Sequence, residues 1–338
     1  MSRQGTSLAI RADGDARLGY GHVMRCAALA QALLDTSHRV VWFSRTPDIV
    51  PAQLAARIDI RPISAGDDEA TLLIPGLAAA GVSGLIGDWQ TTEPRLCAQL
   101  RRAGVWLALI GNHTGVAKAD LYIRQRFGPA GPDSAATVCD GSEHLLLAPG
   151  FAGLPARMIQ PRAKRLLITL GGSETAVLDC VLAAFEGLSE LEGTTIDIKR
   201  TSPLATDLPE TGLLDELRAA DIAVLGAGTT LHEAAATGLA AIALPIAANQ
   251  FERAQQFEAL GLGLSLDPAA EGFAPRLRQQ LTEMLGRPAR RAQYSRAGQS
   301  AVDGRGAERV ARRIASLIAR AQTELNANIS RTTAGPAP

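Results

Sequence analysis

A short apolar run that stops at a glycine-bearing loop and restarts as an alanine-rich helix recurs along this chain, and that recurrence limits the folds open to it. The first instance is the sharpest. Ser7 to Ala12 suits a buried parallel strand, and Val23 to Leu34 carries apolar residues at helical spacing. The join between them holds Gly19, Tyr20, Gly21 and His22. Glycine at such a join permits positive φ or the close approach of a ligand, and His22 falls where the helix begins. A helix N-terminus offers free N–H groups and a positive dipole end, which suits an anionic or oxygen-rich ligand beside His22. Taken alone, the same stretch is more often a structural turn with His22 as a capping or surface residue.

The alternation continues through the first half. Strand-like runs at Arg39–Phe43, Asp59–Ile63, Gly84–Ile86 and Val105–Ile110 are separated by helical stretches at Pro51–Arg57, Ala70–Ala80 and Glu93–Ala103. Such alternation predicts a parallel sheet covered on both faces, with ligands at the C-terminal ends of its strands. Asp88, Asn112 and His113 then share one rim with His22; their plain alternative is helix capping and loop filling.

After a connection rich in Gly and Pro near Phe151–Arg162, the pattern restarts. Strands are expected at Arg165–Leu170, Thr194–Lys199, Asp221–Leu225 and Ala241–Pro245. Helices are expected at Val177–Leu188, Leu213–Ala220, to about Leu260, at Pro275–Leu285 and at Ala307–Leu325. This divides the chain into an N-terminal Rossmann-like domain at 1–153, a C-terminal one at 154–325, and a disordered tail at 326–338. Two loops of the second half, Gly171-Gly172-Ser173 and Gly226-Ala227-Gly228-Thr229-Thr230, can aim backbone N–H and hydroxyl groups at a diphosphate. Glu233, one turn into the next helix, can accept hydrogen bonds from ribose hydroxyls. Neither loop matches G-x-x-x-x-G-K-[ST] or a dinucleotide fingerprint with its acidic residue, which disfavours nucleoside triphosphatases and nicotinamide enzymes. Together, and opposite a His-bearing glycine loop, they predict a ligand cleft between two Rossmann-like halves.

Composition removes other classes. The 34 basic and 34 acidic residues balance, so there is no broad basic footprint for nucleic acid. Lys is confined to Lys118, Lys164 and Lys199, a bias toward Arg that lowers the weight of any single arginine. Cys26, Cys97, Cys139 and Cys180 lack metal or redox spacing and read as reduced thiols. No apolar stretch has the length of a bilayer span or the form of a signal peptide, so the cytoplasm is the expected location.

Arg11-Ala12-Asp13, then Gly19-Tyr20-Gly21-His22 with Arg25, Gly171-Gly172-Ser173, Ala227-Gly228-Thr229-Thr230 with Glu233, and Asn249-Gln250 together resemble the nucleotide-sugar hydrolases of pseudaminic acid biosynthesis. The broader relatives are spore-coat polysaccharide proteins and GT-B glycosyltransferases. The resemblance covers roughly 7–266 and implies a GT-B-like α/β fold, two Rossmann-like domains whose parallel sheets face each other across a cleft. It implies release of the nucleotide from a UDP-linked diacetamido-deoxy sugar, without a metal or other cofactor. His22 is then the catalytic residue, supported by Asp13 and Arg25. Gly19, Tyr20, Gly21, Asp88, Asn112, Asn249 and Gln250 line the sugar side; the Gly171 and Ala227 loops and Glu233 hold the nucleotide.

Three positions depart from that family. Asp88-Trp89-Gln90 stands where relatives carry Asp-x-Tyr, Gly111-Asn112 where they carry paired Asp, and Gly238-Leu239-Ala240 where they carry Gly-x-Pro. The nucleotide half keeps the pattern better than the sugar half. In the expected chemistry, helix-end amides stabilise the departing diphosphate and His22 serves as general base toward water at the anomeric carbon. The alternatives are a glycosyltransferase, in which His22 activates an acceptor hydroxyl, and an inactive nucleotide-sugar-binding protein.

Overall fold

The computed structural model describes residues 6–15, 19–64, 68–111, 117–131, 137–171, 175–199 and 213–333. Its first sheet is built from β1 (Ser7–Ala12), β2 (Arg39–Ser44), β3 (Asp59–Pro62), β4 (Gly84–Asp88), β5 (Trp106–Ile110), β6 (Leu121–Ile123) and β7 (Val138–Cys139), in the order β3-β2-β1-β4-β5-β6-β7. The second contains β8 (Arg165–Thr169), β9 (Thr195–Ile198), β10 (Ile222–Gly226), β11 (Ala240–Leu244) and β12 (Leu264–Ser265), in the order β12-β11-β10-β8-β9. Every pairing within them is parallel.

Parallel strands must be joined by crossovers, and helices supply most of them. The first half carries α1 (Gly21–Asp35), α2 (Ala52–Ala55), α3 (Glu69–Ala79, with Pro75 inside it) and α4 (Pro94–Arg102). The second carries α5 (Thr175–Phe185), α6 (Leu214–Ala219), α7 (Thr230–Thr237), α8 (Phe251–Ala259), α9 (Phe273–Gly286), α10 (Pro288–Ala301) and α11 (Gly306–Thr333). These are two Rossmann-like units. In each, strand order reverses next to a central strand, between β1 and β4 and again between β8 and β10, and a doubly wound sheet opens a crevice at that reversal.

The alternation read from sequence anticipates most of these elements. It does not anticipate β6, β7 or β12, which at two or three residues are too short to show a period, nor α10. That helix buries Arg291, Tyr294, Ser295 and Gly298, a face with no apolar rhythm. The chain after 306 also differs from expectation. Ala307, Val310, Ala311, Ile314 and Ile318 join the N-terminal core beside α1, because their spacing lays one apolar stripe along α11. The last helix therefore leaves the C-terminal sheet and clamps the first unit. Residues 326–333, expected as a disordered tail, continue α11.

Candidate active site

β1 and β4 are neighbours, in register at Ala12 and Asp88. The helix that follows β1 thus begins beside the end of β4, which brings together residues 66 positions apart in sequence. His22 Nδ1 lies 2.7 Å from Asp88 Oδ1. Arg25, one helical turn on, grips the same carboxylate side-on, with Nε 2.5 Å from Oδ2 and Nη2 2.6 Å from Oδ1. Cys26 Sγ adds a contact to Oδ2 at 3.5 Å.

Asp88 is fully buried at its side chain. Burial alone would raise its pKa, but the Arg25 charge, with His22, holds it down at about 2. An ionised carboxylate only accepts, so the proton between Asp88 and His22 must sit on Nδ1. Arg25 Nη2 is 3.0 Å from that nitrogen and, being a donor too, cannot bond it; both N–H groups converge on Oδ1. The imidazole is thereby oriented with Nδ1 occupied and the lone pair on Nε2, the arrangement a general base needs.

Asp13 belongs to a different network. Its carboxylate pairs with Arg11 Nη2 at 2.7 Å and accepts from Ser44 Oγ at 3.0 Å and from the Arg45 N–H at 2.7 Å. Burial pushes it up, yet Arg11 and these donors hold it below the usual carboxylate range. Arg11 is itself 1% exposed and also donates to Glu69, with Nε 2.7 Å from Oε1. Glu69 accepts from Trp89 Nε1 at 2.8 Å as well. Trp89 lies across Gly87, where any Cβ would overlap its ring. Asp13 thus helps hold the loop ends behind the site, and Arg11, quoted in the first motif without a role, and Glu69, which the sequence did not single out, complete that brace.

The glycine loop does two things. Gly19 takes φ 77°, the left-handed conformation glycine permits, and donates to Asp15 O at 2.8 Å. Gly21 lets the two units meet: a Cβ there would stand 3.1 Å from Thr229 Oγ1 and 3.2 Å from its Cγ2. Tyr20, expected to line the sugar side, is instead buried in the N-terminal core.

Thr229 is the N-cap of α7, so the Gly21 contact sets the N-terminus of α1 against that of α7. Neither N-cap side chain, Tyr20 or Thr229, makes a capping hydrogen bond. Gly228, Thr229 and Thr230 are half-buried around this end, and Ala227 is buried. The Glu233 carboxyl, in the first turn of α7, has no hydrogen-bond partner among the described residues, and burial raises its pKa to about 8. Gly171 follows the end of β8, exposed with φ 98°. Asn249 is exposed ahead of α8, while Gln250 spends its Oε1 on the Ile246 N–H at 3.1 Å. Asn112, His113, Gly172 and Ser173 lie outside the described residues.

Two further groups escaped the sequence reading. Arg253 sits three residues into α8 and donates from Nη1 to Ala227 O at 2.9 Å. His232 is 1% exposed, with Nε2 unpartnered and its ring 4.9 Å edge-on to Phe127. No sequence pattern marks either one, because α8 and α7 converge only through the adjacency of β11 and β10.

No protein-family model matches the chain. One curated relative, the Helicobacter pylori protein "Pseudaminic acid cytidylyltransferase and UDP-2,4-diacetamido-2,4,6-trideoxy-beta-L-altropyranose hydrolase", is 32% identical over 132 residues, 34% of this chain and 24% of the relative. The chain therefore matches about a quarter of that protein's length. Among solved structures, MurG of Acinetobacter baumannii superposes with a TM-score of 0.63 at 14% identity, over 91% of this chain and 98% of MurG. The spinosyn rhamnosyltransferase SpnG, solved with thymidine diphosphate, gives 0.59 at 17% identity over 88% and 95%. These likenesses span both sheets and the junction between them, and the chain has the GT-B fold.

Proposed function

We propose that this protein is a nucleotide-sugar enzyme in which His22 activates an oxygen nucleophile for attack on an anomeric carbon. The observation that carries the reading is the junction itself. A histidine held in one tautomer by a buried carboxylate stands one residue from Gly21, which touches the uncapped start of α7. In that arrangement the nucleoside diphosphate lies at the α7 end, where amides stabilise charge as it departs. Nε2 of His22 takes the nucleophile's proton as the new bond forms at the anomeric carbon. Asp88 holds the imidazole and offsets its positive charge, and Arg25 keeps Asp88 ionised.

The reading we favour is glycosyl transfer to an acceptor hydroxyl, supported by the whole-length likeness to a rhamnosyltransferase that binds a nucleoside diphosphate. Hydrolysis of a UDP-linked diacetamido-deoxy sugar is the second reading, favoured by the 132-residue similarity to a hydrolase. Both place the protein in the cytoplasm, where nucleotide-sugars are available. The test is incubation with UDP-, dTDP-, GDP- and CMP-sugars, following nucleotide release with and without candidate acceptors. Release that requires an acceptor supports transfer, and release without one supports hydrolysis. Tight binding without release returns the inactive binding protein.

A further inference from the structure

Several arginines of the second half donate to backbone carbonyls, and Arg157, Arg291 and Arg253 do so very differently. Arg157 spends its guanidinium on the carbonyls of Thr237, Leu217, Arg218 and Ala220, which closes the ends of α6 and α7. Arg291 likewise engages Met284, Leu285 and Gln160. Both are structural clamps, each holding three or more carbonyls through its terminal nitrogens. Arg253 has one such bond, from Nη1 to Ala227 O, and its Nε is shut away from solvent without a partner among the described residues. A buried N–H left unpaired destabilises the free protein, and a charged one more so, which makes it a feature to be explained by a ligand.

The surroundings of Arg253 are mainly positive, with Glu252, its neighbour in α8, the acidic exception. Ala227, its acceptor, immediately precedes the Gly228-Thr229 entry to α7, and the Ala227 N–H is itself tied to Leu244 O at 2.9 Å, so the guanidinium is fixed beside that helix end. The α1 N-terminus abuts it through Gly21 and Thr229. No acidic residue stands in the first turn of α1. Asp88 is consumed by His22 and Arg25, and the Glu233 carboxyl is held neutral near pH 7 by burial. Burial and the Arg25 charge also pull the Arg253 pKa down to about 10, and burial, Arg253 and Arg25 hold His232 neutral. Two helix N-termini and two guanidinium groups therefore converge, and the acidic group that offsets Arg253 is the exposed Glu252 on its own helix.

We propose that Arg253 seats a phosphate oxyanion of the nucleoside diphosphate, through the guanidinium N–H groups that its bond to Ala227 O leaves unused, at the place where the α1 and α7 N-termini meet. The inference rests on the nucleotide-sugar reading above and adds the residue that neutralises the leaving group. Arg253 thus couples the two units: the anion it holds lies between α7 and the His22–Asp88 pair, so filling the site relieves the like-charge crowding that the free protein carries.

The test uses the full chain and calorimetric titration with UDP, inorganic pyrophosphate and uridine. Arg253→Gln and Arg253→Met are expected to weaken UDP and pyrophosphate by about tenfold or more, and to leave uridine unchanged. Arg253→Lys should restore most of the loss. Two different neutral replacements guard against one that fails to fold. Equal weakening of UDP and uridine would make Arg253 a structural clamp and overturn the proposal, as would wild-type affinity for UDP in a folded neutral variant. A neutral variant that keeps UDP affinity but loses a wild-type preference for UDP-glucuronate over UDP-glucose would overturn it too, by moving the oxyanion to the sugar. Wild-type protein that binds neither UDP nor pyrophosphate likewise removes it. Weakened UDP and pyrophosphate in these variants, in a protein that releases nucleotide from no sugar donor, would sustain the Arg253 site while the enzymatic reading fails.

Discussion

The two halves of the junction treat their carboxyl groups in opposite ways. On the N-terminal side, Asp88 is saturated by His22, Arg25 and Cys26, and Asp13 by Arg11, Ser44 and Arg45. On the C-terminal side, among the described residues, Glu233 has no partner, Arg253 Nε and His232 Nε2 are buried and unpaired, and the Thr229 side chain makes no capping bond. A group that must keep one orientation through a reaction is best held by bonds that exist beforehand. A group that must receive a ligand has to leave its bonds unmade, at a cost in stability of the free protein. The first side is a preset machine, and the second is a seat kept open.

The largest expected effect comes from breaking the saturated side. Asp88→Asn leaves Arg25 buried without its countercharge, which should cost about 3–5 kcal/mol of stability. The new amide would donate to Nδ1, drive the His22 proton to Nε2, and lower turnover by about 10³–10⁴-fold. Wild-type stability also carries a signature of Asp88. With its folded pKa near 2 and an ordinary value of 3.8, the stabilisation is present above about pH 4 and is lost as pH falls toward 2. Denaturation curves of wild type and variant should converge over that window. A folded Asp88→Asn enzyme with near-normal turnover would show that His22 needs no orienting carboxylate.

His22→Asn removes the base and leaves the rest standing. Turnover should fall by about 10²–10⁴-fold while UDP affinity and melting temperature stay close to wild type, because the proposed nucleotide seat lies on the other half. If instead the variant melts early and turns over normally, His22 is a structural cap, and Asp88 or His113 would have to be considered in its place.

The open side should respond in binding rather than rate. Gly228 has open space where a Cβ would project, and its φ is one that other residues adopt, so Gly228→Ala should fold as wild type does. Weaker UDP binding by that variant, and more so by Gly228→Val, would then report a ligand in that space. Glu233→Ala is expected to lose about tenfold in UDP affinity with the fold intact. Unchanged affinity in all three would dissolve the contrast between the two sides.

This contrast was only half legible in the sequence. Glycines and apolar periodicity gave away strands, loops and helix starts, since those depend on neighbours in the chain. They also placed Asp88 on the His22 rim, because both follow strand ends. The pairing itself depends on β1 and β4 being adjacent, a fact of strand order that no local pattern contains. Tyr20 looked available and is buried in the N-terminal core. Gln250 looked like a ligand group, but its Oε1 closes its own loop. Arg253 was hidden among many arginines, and it stands out only once its single carbonyl bond and buried, unpaired Nε are set beside the several carbonyls held by Arg157 and Arg291.

The smallest effect tests how the open side closes. Burial raises Glu233 from an ordinary 4.5 to about 8, so at pH 7 the free protein holds it mostly protonated. For a carboxyl raised on folding, stability is full below pH 4.5 and is lost as pH rises through 8, so Glu233→Gln should flatten that decline. Ribose hydroxyls that donate to the carboxylate favour its ionised form, so UDP binding at pH 7 should release a fraction of a proton, up to roughly 0.9. Calorimetry in two buffers of different ionisation enthalpy reads this number directly. Affinity should then rise with pH to about 8 and level off, and Glu233→Gln should bind UDP weakly at every pH. The opposite result has an equally definite meaning. If no proton is released and Glu233→Gln binds as wild type does, the carboxyl serves as a neutral donor. The nearby diphosphate would then keep it protonated, and the open side would be closed by hydrogen bonds that never needed its charge.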